Sequence, residues 1–350
     1  MSDDSALIGD MVQRLLADKV DDKLHRAARA GAWSAELWAA LEQMGVPYAL
    51  LSEDQGGFGL ERQDALGLLR LFGRHAVPLP VAETMLANAL AAAAGLAPVA
   101  GPLAVVEAAH DLALSREGDG WRLSGNASRL PFAARLSGLL VEASADGVHY
   151  AIMLSPSEWT ISAQGTNLAH EPRDEIAVDA VIGNDRVQPW QGLSARVALS
   201  VGVCLKIAGA MQRVLEMTVD HANERVQFGK PLSKFQAIQH ELAKLASETA
   251  ACGAAADMAA ELFDDTGENP QAVIAAARLR CGEAAGIATS IAHQTHGAIG
   301  FTAEHRLHFF TNALWGWRDE YGSAPYWSRT LGGAALAAGP DNYWRFVTAA

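Results

Sequence analysis

Residues 223–245 read N-E-R-V-Q-F-G-K-P-L-S-K-F-Q-A-I-Q-H-E-L-A-K-L and separate two long stretches of helical periodicity. Before this segment, apolar or small residues recur every three or four positions, as on one face of a helix: Cys204, Ile207, Ala208, Met211, Leu215, Thr218 and Ala222. The same spacing resumes after it at Ile238, Leu242, Leu245, Thr249 and Cys252. The pattern predicts two long helices that pack as a hairpin around a sharp turn.

The turn is predicted at Phe228-Gly229-Lys230-Pro231. Pro231 disfavours helix at Lys230, and Gly229 tolerates unusual backbone angles. The polar side chains gathered near this bend are those of Arg225, Gln227, Lys230 and Gln236. These residues permit two interpretations. They form a basic helix end that complements the helix dipole, or they include a guanidinium whose planar donors bind a phosphate.

The composition excludes several classes of protein. A net charge of −13 leaves no excess of Lys and Arg to neutralise the phosphates of a nucleic acid. The cysteines lie in separate apolar helical patterns without C-x-x-C spacing: Cys204, Cys252 and Cys281. They predict reduced core thiols in a cytoplasmic protein. The acidic N-terminus lacks a secretory h-region, and the apolar run of residues 85–97 is too short to span a membrane.

Along the chain, helical periodicity over residues 5–97 gives way to short apolar or alternating runs. These runs are residues 103–107, 121–123, 139–143, 148–154 and 175–181, and they predict strands. Gly118-Asp119-Gly120 is typical of a hairpin turn. The glycines of residues 52–60 favour a tight loop over a phosphate cradle, because Glu53 and Asp54 would repel a phosphate. From Leu193 the chain is predicted to be helical to about Leu336.

Two segments resemble the acyl-CoA dehydrogenase family. R-x-x-F-G-x-P-L followed by F-Q-A-I-Q-H, at residues 225–240, resembles the family's signature. Residues 294–304, Q-T-H-G-A-I-G-F-T-A-E, resemble its Q-x-x-G-G-x-G-F-x-x-E segment. The resemblance covers most of the chain and is thin between about Pro98 and Arg186. It implies a mainly α fold with a small β domain.

In that fold, residues 1–98 form an N-terminal helical domain and residues 99–188 a central β-barrel-like domain. Residues 189–350 form a C-terminal four-helix bundle with FAD and oligomer contacts. The resemblance implies that Arg225 contacts the FAD pyrophosphate and that Phe228 packs on the cofactor. The remaining cofactor contacts expected from it are Gln236, Gln294, Gly297 and Ser323, of which Gln294 and Gly297 meet the partner subunit's FAD. An arginine with backbone amides at Gly-rich helix ends suits an anionic dinucleotide.

The chain departs from the family where substrate and flavin are normally contacted. A T-E-P-x-x-G-S-D run in the family corresponds to residues 107–112, E-A-A-H-D-L, without the glycine and serine. The family's W-I-T strand corresponds to residues 125–131, where Arg129 and Pro131 stand. Arg129 is either a partner for a flavin carbonyl or a surface residue.

The catalytic base also departs from the family pattern. The usual Y-E-G-T motif falls on Glu320-Tyr321-Gly322-Ser323, so Tyr321 occupies the glutamate position and Glu320 stands one residue early. One residue on a helix is about 100° of rotation. A neutral tyrosine is a poor base, so Glu320 remains the candidate base. Some relatives place the base on the helix before the R-x-x-F-G motif. The matching positions here lie near Leu199 and Ser200, and neither residue carries a carboxylate.

These departures favour a heteromeric acyl-CoA dehydrogenase with a divided active site. Some bacterial family members, including those that shorten steroid side chains, pair a base-bearing subunit with a shorter one that retains part of the FAD site. The alternatives are a homo-oligomer that uses Glu320, a cofactor-free scaffold, and a flavin oxidase or monooxygenase. The expected partners are an acyl-CoA substrate, an electron-transfer acceptor and another family subunit in a homo- or hetero-tetramer. No metal site is predicted. Histidines spaced like His293, His296, His305 and His308 are more often interface residues with hydrogen-bond partners than metal ligands.

Overall fold

The computed structural model describes residues 3–108, 110–264 and 269–348. Its helices are α1 Asp3–Lys19, α2 Asp22–Arg29, α3 Ala35–Gln43, α4 Arg62–Arg74, α5 Val81–Ala93, α6 Ala195–Glu224, α7 Gln236–Glu261, α8 Pro270–His296, α9 Leu307–Trp317 and α10 Ala324–Thr348. Its strands are β1 Leu103–Val106, β2 Asp111–Glu117, β3 Gly120–Pro131, β4 Gly138–Ala145, β5 Val148–Leu154, β6 Trp159–Ala163, β7 Arg173–Ile182, β8 Val187–Pro189, β9 Val226–Gln227 and β10 Lys230–Pro231.

The chain divides into two compact units whose boundaries fall within α4, between α4 and α5, and within α6. The first unit comprises Met1–Leu66 and Pro78–Leu199, and the second comprises Gly67–Val77 and Ser200–Ala350. The N-terminal helices and the main sheets therefore belong to the first unit, and the long C-terminal helices to the second. The division into three domains at residues 98 and 188 stays a prediction.

Two local contacts shape the helices of the first unit. The helix α3 ends at Gln43, and Gly45 follows with a φ of 73°, a left-handed conformation that glycine adopts without strain. The buried Thr84 of α5 joins this helix to β1, because its hydroxyl accepts a hydrogen bond from Leu103 N–H at 2.9 Å.

Among the described residues of the first unit, the strands form two four-stranded sheets. One sheet has the order β1-β4-β5-β8 and the other β2-β3-β7-β6. Neighbouring strands pair antiparallel except β1 and β4, which are parallel. Alternating apolar side chains from both sheets form one buried cluster that includes Trp121, Leu139, Ile152 and Ile176. The predicted turn joins β2 to β3, with Glu117 paired to Gly120.

The second unit is built from long helices. The helix α8 packs against both α7 and α10. Cys204, Cys252 and Cys281 are free and buried on α6, α7 and α8, as predicted. Burial raises the pKa of the Cys204 thiol well above its ordinary value.

Two features of the long helices differ from the sequence expectation or qualify it. The helix α10 continues to Thr348, well beyond Leu336, with a kink where Gly339 has a φ of 72°. Among the described residues, α6 is the one helix long and apolar enough to cross a membrane, and 89% of its most apolar window is buried within the protein. Such burial is common for a core helix.

Candidate functional site

A short hairpin joins α6 to α7 and carries the first motif. Strand β9 pairs antiparallel with β10, and only Phe228 and Gly229 lie between them. Both turn residues have positive φ, 51° and 80°, as a tight two-residue turn requires. Glycine adopts this conformation readily, whereas phenylalanine does so at a cost. The chain thus holds an aromatic residue in a strained turn.

The predicted cofactor residues of this hairpin face solvent. Arg225 is exposed immediately after α6, and Gln236 is exposed as the first residue of α7. The Phe228 side chain is 92% exposed and meets the ring of Phe235 edge to face, with 6.3 Å between centroids. The hairpin therefore presents a guanidinium, an aromatic ring and an amide on its surface.

The second motif lies at the C-terminal end of α8. Gln294 is exposed in the last turn, and Gly297 ends the helix with a φ of 64°. Residues 297–301 then form a short 3-10 turn, in which the Phe301 side chain is 71% exposed. This helix end therefore presents an exposed amide and an exposed aromatic ring, as the α6–α7 hairpin does.

A histidine pair brings the two motifs together in the fold. His221 lies one turn before Arg225 in sequence, and its ring stacks on that of His296 with 4.3 Å between centroids. His296 is the last residue of α8, directly before Gly297. His221 and His296 are 75 positions apart along the chain, and their contact joins the C-terminal turns of α6 and α8.

The predicted base position lies in the connection between α9 and α10. Glu320 is only 4% exposed, whereas Tyr321 and Ser323 are partly exposed. Tyr321 has a φ of 52°, so the helical rotation expected between positions 320 and 321 does not apply to this segment. The structure places the carboxyl group of Glu320 in the interior of the second unit.

A buried arginine holds this connection. Arg278 on α8 is 2% exposed. Its Nη2 donates to three backbone carbonyls, those of Arg318 at 3.0 Å, Glu320 at 2.8 Å and Gly322 at 3.3 Å. Charged donors make strong hydrogen bonds to backbone oxygens. Arg278 therefore fixes the backbone that carries the predicted base, a role that no sequence signal indicated.

The first unit contains the segments that depart from the family pattern. Glu107 forms a bidentate ion pair with Arg196, at 2.6 and 3.0 Å. Arg129 is exposed at an irregularity of β3, with a φ of 59°. Residue 109 of the predicted segment 107–112 lies outside the described residues. Both departures therefore coincide with structural features of the first unit: an ion pair and a β-bulge.

An apolar groove of about 490 Å³ lies in the second unit, between α7, α8 and α10. Met258, Leu279, Leu331 and Phe346 are among its lining residues. None of its lining residues belongs to either motif, so the groove is separate from the predicted cofactor contacts.

Residues 200–314 match the family described as "Acyl-CoA dehydrogenase, C-terminal domain". This region is an acyl-CoA dehydrogenase C-terminal domain. The chain is 29% identical over 309 residues to "Acyl-CoA dehydrogenase IpdE2" of Mycobacterium tuberculosis (strain ATCC 25618 / H37Rv), covering 87% of this chain and 88% of the relative.

Two solved structures share the fold. The ChsE4-ChsE5 complex from Mycobacterium tuberculosis has a TM-score of 0.85 at 19% identity, covering 97% of this chain and 99% of that chain. A variant of the Tcur3481-Tcur3483 steroid ACAD has a TM-score of 0.85 at 23% identity, covering 96% of this chain and 99% of that one. These likenesses confirm the predicted fold, and the match over residues 200–314 confirms the predicted family for that region.

The bounds of the acyl-CoA dehydrogenase C-terminal domain separate the predicted site residues into two groups. Arg225, Phe228, Gln236, Gln294 and Gly297 lie within the matched region. The predicted base and the last predicted cofactor contact, Glu320 and Ser323, follow it. Each of these residue roles stays a prediction.

Proposed function

We propose that this chain is one subunit of a heteromeric, FAD-dependent acyl-CoA dehydrogenase, which introduces an α,β double bond into an acyl-CoA thioester. The observation that carries the proposal is the meeting of the two motif segments at the ends of α6 and α8, with Arg225, Phe228, Gln294 and Gly297 on or near the surface. The family match over residues 200–314 supports the reaction class.

The surface chemistry of the hairpin fits a flavin dinucleotide. A 92% exposed Phe228 in a left-handed turn gains nothing from the protein core, whereas stacking on a cofactor would bury its ring. The exposed guanidinium of Arg225 would bind the pyrophosphate through its paired donors. Gln294 and Gly297 would meet the partner subunit's FAD. When bound, FAD would supply the acceptor for the hydride of the acyl β-carbon.

The divided active site is proposed from the position of Glu320. A base must reach the α-proton of the acyl group within hydrogen-bonding distance. The Glu320 carboxyl is buried in the second unit, and its backbone is bound by Arg278. The partner subunit would therefore supply the base. The names of two similar structures, a ChsE4-ChsE5 complex and a Tcur3481-Tcur3483 steroid ACAD, support a paired assembly and a steroid-derived acyl group.

The test is the visible spectrum of the purified chain, alone and co-expressed with a longer acyl-CoA dehydrogenase subunit. Each preparation is titrated anaerobically with acyl-CoA. We expect bound flavin in the co-expressed preparation, bleaching by substrate there, and reoxidation by an electron-transfer flavoprotein. Bleaching in the lone chain would overturn the divided site, and colourless protein in every pairing would overturn the flavoprotein assignment.

Matched variants separate cofactor binding from catalysis. Arg225→Gln should lower flavin occupancy at least tenfold, while Lys244→Gln, which removes an exposed positive charge from α7, should leave it unchanged. Glu320→Gln should retain substrate bleaching in the heteromeric preparation. Loss of bleaching with flavin still bound would instead favour the alternative in which Glu320 is the base.

A further inference from the structure

Three histidines from three separate segments converge in the second unit. His221 lies in the last turn of α6, His296 ends α8, and His305 lies in the loop before α9. One ring nitrogen from each lies within 4.8 Å of the others. The His296 ring stacks on His221 at 4.3 Å and meets His305 edge to face at 4.8 Å. The arrangement is a compact set of imidazole donors.

The central ring has a buried lone pair to which no described residue donates a hydrogen bond. His296 is 5% exposed, and its Nδ1 lies 2.7 Å from the carbonyl oxygen of Ala292. A carbonyl can only accept, so Nδ1 carries the proton and Nε2 has a free lone pair. Nε2 is buried and makes no hydrogen bond to any of the residues that the structure describes. A buried acceptor in this state is costly, and a bound cation would satisfy it.

The position of the rings in the fold favours a cation. His221 and His296 lie in the last turns of α6 and α8, and helix C-termini carry partial negative charge that favours cations.

We propose that His221, His296 and His305 bind a divalent transition-metal ion, with zinc as the best match. Zinc accepts imidazole nitrogens at about 2.0–2.1 Å and binds three protein ligands with a fourth position open to water or another ligand. The hydrogen bond from His296 Nδ1 to Ala292 supplies the outer contact that orients such a ligand. Because His221 adjoins the Arg225 hairpin and His296 adjoins Gly297, the metal would clamp the two motif segments together.

Three adjustments accompany binding. The stacked rings of His221 and His296, with 22° between their planes, must turn so that their in-plane lone pairs converge on one ion. The nitrogens must also come closer than 4.8 Å, because tetrahedral zinc places ligand nitrogens about 3.4 Å apart. His305 Nδ1 accepts a hydrogen bond from Leu307 N–H at 3.2 Å. Ligation through either nitrogen of His305 breaks this contact, since Nδ1 must then bind the metal or carry the proton. His305 lies in a loop between helices, where such a ring movement requires no helix to shift.

The experiment uses the full chain without a polyhistidine tag, stripped with a chelator and dialysed. Zinc content after equilibration with zinc chloride is measured by mass spectrometry, and cobalt substitution is followed by visible absorption. We expect one zinc per chain, tetrahedral cobalt bands, and a rise in melting temperature with zinc. Substoichiometric zinc with no cobalt bands would overturn the proposal.

Variants locate the ion. His221→Gln and His296→Gln should each weaken zinc binding at least tenfold, while His240→Gln, an exposed position on α7, should bind zinc as the parent chain does. Circular dichroism establishes that each variant is folded. Should His296→Gln fail to fold, the partly exposed His221 and His305 carry the test. Undiminished zinc binding in the double variant His221→Gln/His305→Gln would overturn the site.

Discussion

Two glycines set the closest approach between α4 and α6 within the second unit. A Cβ added at Gly73 would overlap the backbone of Lys206, and one added at Gly209 would overlap the backbone of Arg70. Backbone atoms cannot move away by a change of rotamer. Gly73→Ala must therefore separate the two helices, which also carry the Arg74–Glu216 ion pair at 2.7 Å.

The magnitude follows from two opposing contributions. Alanine in place of glycine stabilises a helix by roughly 0.5–1 kcal/mol. Overpacking of a close-packed contact typically costs about 1–3 kcal/mol, and an overlap with backbone belongs at the upper end. We expect Gly73→Ala to lower the free energy of unfolding by about 2 kcal/mol.

Gly67 supplies the matched control, because it lies on the same helix and a Cβ there meets, among the described residues, no atom within 4 Å outside the neighbouring backbone of its own helix. Gly67→Ala should raise the free energy of unfolding by up to about 1 kcal/mol. Urea denaturation of the full chain, followed by circular dichroism, measures both variants. If Gly73→Ala proved as stable as Gly67→Ala, the close approach of α4 and α6 would be refuted.

Three further predictions concern buried polar groups. Arg278→Met should lower the free energy of unfolding by about 3 kcal/mol, because three backbone carbonyls lose a charged donor and the one of Glu320 is buried. Arg329→Met, at an exposed position of α10, should cost less than about 1 kcal/mol in the same urea assay. Glu142→Gln should lower the free energy of unfolding by about 1–2 kcal/mol. The buried Glu142 carboxylate accepts a hydrogen bond at 2.8 Å from the Ala195 N–H, which is the first of α6. Equal urea midpoints for the variant and the parent chain would contradict this. Burial and three neighbouring arginines lower the pKa of His75 from 6.5 to about 4. As the pH falls below 6.5, the unfolded chain therefore takes up a proton before the folded chain does. The free energy of unfolding decreases from there towards pH 4. Between about pH 7 and pH 5 the parent chain should therefore lose about 2 kcal/mol more than His75→Gln, and parallel pH profiles would exclude the effect.

Local patterns predicted most of the secondary structure. The strand β5 coincides with the predicted run of residues 148–154, and the predicted hairpin turn at residues 118–120 joins two strands. The strand β2 was not predicted because its apolar residues are confined to positions 112–114, and the strand buries only Leu114. The last residues of α10 were not predicted to be helical, because glycine and proline at positions 339 and 340 are typical of a helix end. In the structure these two residues form a kink within the helix.

The candidate site divides in the same way. Motif resemblance identified Arg225, Phe228 and Gln294 as predicted cofactor contacts, and the structure places them on exposed surface near the ends of their helices. The burial of Glu320 and the role of Arg278 had no sequence signal, since 42 positions separate the two residues. The sequence pattern considered for a metal site was limited to histidines within residues 293–308. It did not include His221, which lies near His296 and His305 only in the folded chain.

The sequence by itself determined the helical periodicity, the turn at Phe228 and Gly229, and the resemblance to acyl-CoA dehydrogenases, because each depends on residues close together along the chain. Only the tertiary structure decided that β1 pairs with β4, that Arg278 binds the α9–α10 connection, and that His221 meets His296. These contacts join residues far apart in sequence. Their formation depends on the simultaneous packing of several elements, which no local pattern encodes.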